Sequence, residues 1–103
     1  PLAFLREVGR ILKPGGLLFA TTPNWRCLER WRQGRACAAL SPDGHIYYFT
    51  AETLARHLER AGFSRVRTRT RGCRVAPGTW SLRWLSLGER SGLGAQLLGF
   101  ARR

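Results

Sequence analysis

Apolar residues recur at helical spacing from the start of the chain. Phe4, Leu5, Val8, Ile11 and Leu12 fall on one stripe, with Arg6 and Arg10 turned away from it. This pattern predicts an amphipathic helix over 2–12. Lys13 suits the negative end of a helix dipole. Pro14 stops the helix and Gly15-Gly16 let the chain reverse. Leu17-Leu18-Phe19-Ala20 follows with no alternation and runs into Thr21-Thr22-Pro23-Asn24. A short continuous apolar run between glycine and proline predicts a strand covered on both faces. Helix, glycine turn and strand make an αβ unit, and so an α/β fold with helical cover.

A second helix is specified in more detail. Thr50 is placed as N-cap, with Phe49 and Leu54 spaced for a hydrophobic staple. Leu54, Leu58 and Ala61 share a face. Gly62 stands where a left-handed residue ends a helix, and Phe63 can pack back on Leu58. From Ser64 to Arg71 the chain alternates, with Arg65, Arg67, Arg69 and Arg71 on one side and Val66, Thr68 and Thr70 on the other. That pattern predicts a strand with one solvated face, and its charge suits a sheet edge. Residues 95–101 read as a closing strand. Trp25, Leu28 and Trp31 suggest one face of a short helix ended by Gly34, and residues 77–87 suggest another around Trp80 and Trp84. Ser41-Pro42-Asp43-Gly44 is a turn. Gly92 and Gly94 form a Gly-x-Gly without the flanking strand and helix of a dinucleotide loop.

Composition adds bounds on size, compartment and partners. The length of 103 residues allows one small domain, and 44% hydrophobic residues suit a folded one. The chain opens on Pro1 and contains no methionine, so it reads as a fragment. It shows no signal peptide and no apolar run of the roughly 18 residues that span a bilayer, and is expected to be cytoplasmic. Cys27, Cys37 and Cys73 form no CxxC pair, and His45 and His57 lie at no ligand spacing from them, so reduced thiols and no metal site are expected. The net charge is +12, and Lys13 is the only basic residue that is not arginine. Such charge opens an alternative: a basic module that binds nucleic acid or another polyanion.

Leu12-Lys13-Pro14-Gly15-Gly16 with its apolar strand, Thr22-Pro23-Asn24, and the segment from His45-Ile46-Tyr47-Tyr48-Phe49-Thr50 through Leu54 and Leu58 to Gly62-Phe63 occur in this order, with an intervening segment. Together they resemble the C-terminal half of a class I S-adenosylmethionine-dependent methyltransferase. The resemblance covers about residues 2–71, with a closing strand near 96–102. It implies the C-terminal part of a Rossmann-like sheet. Three strands are expected, near 17–22, 64–71 and 96–102, in a mixed sheet whose last strand inserts antiparallel between the other two. The chain would be a single partial domain over 1–103, with a variable insertion at 25–44.

The resemblance also implies transfer of a methyl group from S-adenosylmethionine to a small-molecule or biosynthetic-intermediate acceptor. The glycine-rich loop and the acidic strand end that hold the cofactor in the family have no counterpart in this chain. No cofactor-binding residue is therefore assigned, and the chain alone is expected to be inactive. Nucleic acid is not the expected partner on this reading. In open α/β sheets the site lies beyond the carboxyl ends of the strands. Thr22, Pro23 and Asn24 stand at such an end and are candidate acceptor contacts, as are Tyr47 and Tyr48. His45 is the candidate general base, needed only where the acceptor must lose a proton.

Overall fold

The computed structural model describes residues 1–34, 47–72 and 90–103. In chain order these form helix α1 (Leu2–Ile11), strand β1 (Leu17–Pro23), helix α2 (Leu28–Gln33), helix α3 (Ala51–Arg60), strand β2 (Ser64–Arg71) and strand β3 (Gln96–Arg102). The helix expected over 77–87 lies outside the described residues, as do positions 35–44 of the expected insertion.

Helix α1 ends where Leu12 becomes extended, with its N–H still bonded to the Val8 carbonyl at 3.1 Å. Three of the five residues of its apolar stripe are covered. Leu5 is buried and Val8 and Leu12 pack beside the core, but Phe4 is 70% and Ile11 67% exposed. Helix α3 is closed at both ends. The Thr50 hydroxyl accepts from the Thr53 N–H at 3.2 Å, and the Thr53 hydroxyl accepts from the Thr50 N–H at 2.8 Å. This reciprocal pair satisfies two donors that a helix start otherwise leaves orphaned. At the other end Gly62 has φ 98°, its N–H reaches the Glu59 carbonyl, and the Phe63 N–H reaches that of Leu58. These two bonds define a Schellman ending, and they bring Phe63 down onto the core.

The sheet order is β1-β3-β2, with β3 antiparallel to both neighbours. Leu17 and Ser64 both oppose Arg102 at one end, and Pro23 and Arg71 both oppose Gln96 at the other. The closing strand therefore lies between the other two, as expected. The mixed character expected of the sheet is not expressed in these ladders, because β1 and β2 run parallel only as non-neighbours across β3. The one parallel pairing among the described residues is an isolated bridge between Asn24 and Phe49.

One face of β3 carries Leu97, Gly99 and Ala101 toward α3. Leu97 and Ala101 join Leu5, Leu54, Leu58 and Phe63 in the core. A Cβ at Gly99 would stand 3.2 Å from the Leu54 Cδ2 and 3.4 Å from the Leu58 Cδ1, so the absent side chain sets how closely α3 approaches. Full burial of a leucine contributes about 1.5–3 kcal/mol, and Leu58 and Leu97 are wholly buried.

The opposite face is different. Leu17, Phe19 and Thr21 of β1 lie there with Leu98 and Phe100 of β3, and Leu17 is 59% and Phe19 54% exposed. The expectation that this strand is covered on both faces is thus met on one face only among the described residues. The short helix α2 does form and ends at Gly34, but Trp25 precedes it and Trp31 is 79% exposed, so the three residues make no common packed face.

Candidate functional site

At the carboxyl end of β1 the chain is tied into a knot centred on Asn24. This side chain is buried, and both its amide protons are used. Nδ2 donates to the Gly92 carbonyl at 2.9 Å and to the Gly94 carbonyl at 2.7 Å, while Oδ1 accepts from the Arg26 N–H at 3.0 Å. Carbonyls only accept and a backbone N–H only donates, so the amide orientation is fixed by its partners. The Asn24 N–H adds a bond to the Ala95 carbonyl at 2.9 Å. The residue beyond β1 is thereby locked to the segment that leads into β3.

The same turn captures the approach to α3. The Trp25 N–H donates to the Phe49 carbonyl at 2.9 Å, beside the parallel bridge from Asn24 to Phe49. Tyr48 then lies against Trp25, with ring centroids 5.5 Å apart. The Arg30 guanidinium sits 4.2 Å above the Trp25 ring, and its Nε donates to the Trp25 carbonyl. Arg26 faces Glu52 at 4.0 Å, an exposed pair of small worth. Buried Cys27 and the bond from the Leu28 N–H to the Leu93 carbonyl continue the attachment. His57 does not belong to this knot. It is half-buried, with Nδ1 within 2.8 Å of the Thr53 carbonyl and its ring edge-on to Phe49.

The structure thus brings five of the candidate residues to one end of the sheet. Thr22 and Pro23 are half-buried at the end of β1, Asn24 is buried behind them, Tyr48 is half-buried on Trp25, and Tyr47 is exposed. His45 lies outside the described residues. Sequence reasoning missed Trp25, Arg30 and the Gly-x-Gly as parts of this arrangement. A Cβ at Gly94 would stand 2.6 Å from the Arg71 backbone nitrogen, so this glycine permits a close backbone approach to the end of β2. Its signal was present in the sequence as a Gly-x-Gly with no phosphate-loop context.

Comparison with known proteins gives the family. A family model described as "Methyltransferase domain" matches residues 1–68. The crystal structure of a SAM dependent methyltransferase from Archaeoglobus fulgidus superposes with a TM-score of 0.61 at 16% identity. The match covers 99% of this chain and 51% of that one. No curated protein sequence matches. The chain belongs to the methyltransferase-domain family, and its fold is similar to that of a SAM dependent methyltransferase. It spans about half the length of the solved structure it matches.

The described residues do not by themselves fit the S-adenosylmethionine that the family resemblance implies. Among the described residues no strand ends in an aspartate or glutamate that could hold a ribose. The carbonyls of Gly92 and Gly94 are occupied by Asn24, and the space at Gly94 is filled by β2. No helix among the described residues is long and apolar enough to cross a membrane.

Proposed function

We propose that this chain is the acceptor side of a methyltransferase that transfers a methyl group to a small molecule or biosynthetic intermediate. The carrying observation is the Asn24 knot, which ties the carboxyl end of β1, with Thr22 and Pro23, to the segment that carries Tyr48. Methyl transfer from an activated donor asks mainly that the two reactants be aligned and water kept out. In this reading Pro23, Tyr47 and Tyr48 form an apolar wall for the acceptor and the Thr22 hydroxyl orients it. Asn24 acts behind them as a positioning residue, since its amide protons are committed to carbonyls. His45 serves as base for acceptors that must lose a proton.

On the same reading S-adenosylmethionine is held mainly by groups outside this chain. The free edge of β1 is then the place where a further strand of the domain pairs. The isolated chain is expected to be inactive and to show no saturable binding of S-adenosylmethionine by calorimetry; a saturable isotherm would overturn this. In an enzyme that includes the chain, Tyr48→Ala is expected to raise the KM for the acceptor several-fold. The dissociation constant for S-adenosylmethionine should stay unchanged. A Tyr48→Ala enzyme with an unaltered acceptor KM would remove the tyrosine from the site.

A further inference from the structure

The end of the sheet opposite the Asn24 knot carries a second constellation. Six residue steps along β1 separate the two ends, about 20 Å at ~3.3 Å per residue. Here Ser64 and Leu17 both oppose Arg102, and the ladder between β2 and β3 slips by one residue between Ser64 and Arg67. The slip is a β-bulge, and Arg65 within it has φ 49°. Glycine or asparagine adopts that conformation with least strain, yet arginine occupies it. Bulges commonly re-aim a side chain at the rim of a sheet.

The bulge opens a cleft of 510 Å³, walled by Arg65, Arg67 and Arg102 and floored by Leu17, Phe100 and Ala101. Among the described residues, none of the three guanidinium groups has an ion-pair or side-chain hydrogen-bond partner. A neighbouring groove on the helical side of the same end, near Gly9 and Phe63, also carries arginines. There Arg10 pairs with Glu7, and the Arg103 guanidinium donates to the Leu12 carbonyl. Of these two grooves, the bulge cleft is the one in which none of the lining arginines is balanced by a carboxylate or a carbonyl. Guanidinium forks match phosphate oxygens in pairs, and an anion between them would relieve their repulsion. The apolar floor offers contact to a neighbouring carbon skeleton.

We propose that the bulge cleft binds the phosphate or diphosphate group of a small phosphorylated molecule, at a site separate from the acceptor end. The inference does not depend on the methyltransferase reading. The test titrates the full chain with inorganic pyrophosphate at physiological ionic strength, followed by calorimetry and by the shift in thermal midpoint. Saturable binding is expected, weakened about tenfold by Arg65→Gly and by Arg102→Gln, the loss of one charge-assisted contact each. Arg65→Gly should at the same time raise the thermal midpoint without ligand, because it relieves the left-handed strain. That gain separates loss of the site from loss of the fold. Arg69→Gln, on the same strand but outside the cleft, should leave the affinity unchanged. An equal loss in Arg69→Gln would overturn the proposal in favour of diffuse screening. It would also fall if a single-stranded oligonucleotide bound more tightly with each added nucleotide and depended on Arg69 and Arg71, since the ligand would then be a strand-long polyanion.

Discussion

Strands β1 and β2 hold equivalent places, each at one edge of the sheet and each bonded on one side to β3, yet their rims have opposite chemistry. β2 presents Arg65, Arg67, Arg69 and Arg71 to solvent and breaks its ladder with a bulge. Charge and bulging are the two common means by which an edge is kept from recruiting other strands. β1 has neither. Its outward residues Leu17 and Phe19 are apolar and exposed, and Phe19 rests on Phe100 with ring centroids 5.0 Å apart. An uncharged apolar edge is a template for pairing. The difference is what the proposed function asks for, with β2 a true edge and β1 a strand that takes a further neighbour. That agrees with a chain spanning 51% of the methyltransferase structure it matches.

The comparison is breakable first at the core that both edges share. Leu58 is fully buried, in the cluster that joins α3 to β3. Leu58→Ala should cost about 2–5 kcal/mol, a large share of what a small domain holds. Both edges should then lose protection together in hydrogen exchange. Loss at β2 with β1 intact would mean that the strands are separate units. Next in size is Asn24→Ala, which leaves the Gly92 and Gly94 carbonyls without their donor. A cost of about 2–3 kcal/mol is expected from unpaired buried groups. Urea denaturation measures it, and a change below half of that would reduce the knot to a surface turn.

The edges themselves give the sharpest contrast. Lysine at both Leu17 and Phe19 should lower self-association of the isolated chain by tenfold or more, about 1.4 kcal/mol. Threonine at both Arg67 and Arg69 should raise it. Sedimentation velocity over a concentration series reads both. A wild-type chain that stays monomeric, with a sharp thermal transition, would show that the β1 edge is sufficient as it stands.

Much of this asymmetry was legible in the residues. The alternation from Arg65 to Arg71 marked a half-solvated edge, and every signal around Thr50 and Gly62 agreed on α3. The order β1-β3-β2 came from the family resemblance, since local patterns carry no long-range pairing. The bulge was hidden because its residues continue the arginine alternation, and a slip of register leaves no mark in composition. The exposure of Phe4, Ile11 and Phe19 was equally hidden. An apolar stripe states that a face wants cover, not which part of the chain provides it. At the site, Asn24 read as a turn residue or an acceptor contact. Its saturation by Gly92 and Gly94, 68 and 70 positions away, could be seen only in three dimensions.

The smallest expected effect tests whether α3 belongs equally to both edges. α3 packs on β2 and β3 and receives α1 on its flank, while β1 lies beyond β3 and sends Leu18 to the shared core. Thr50→Ala removes the hydroxyl that accepts from the Thr53 N–H and leaves the reciprocal bond to the Thr50 N–H in place. The loss should be about 1 kcal/mol, as for other caps of this kind. In a domain of this size that lowers the thermal midpoint by roughly 4–8 °C. Thr50→Ser keeps the cap and should restore most of the difference. Because the cap lies one residue past Phe49, which bridges to Asn24, fraying there should also loosen the Trp25 amide at the end of β1. Hydrogen exchange should therefore quicken at Trp25 as well as in the first turn of α3. Faster exchange in α3 with Trp25 unchanged would place the Asn24 knot outside the cooperative unit, and the two ends of β1 would then need separate accounts.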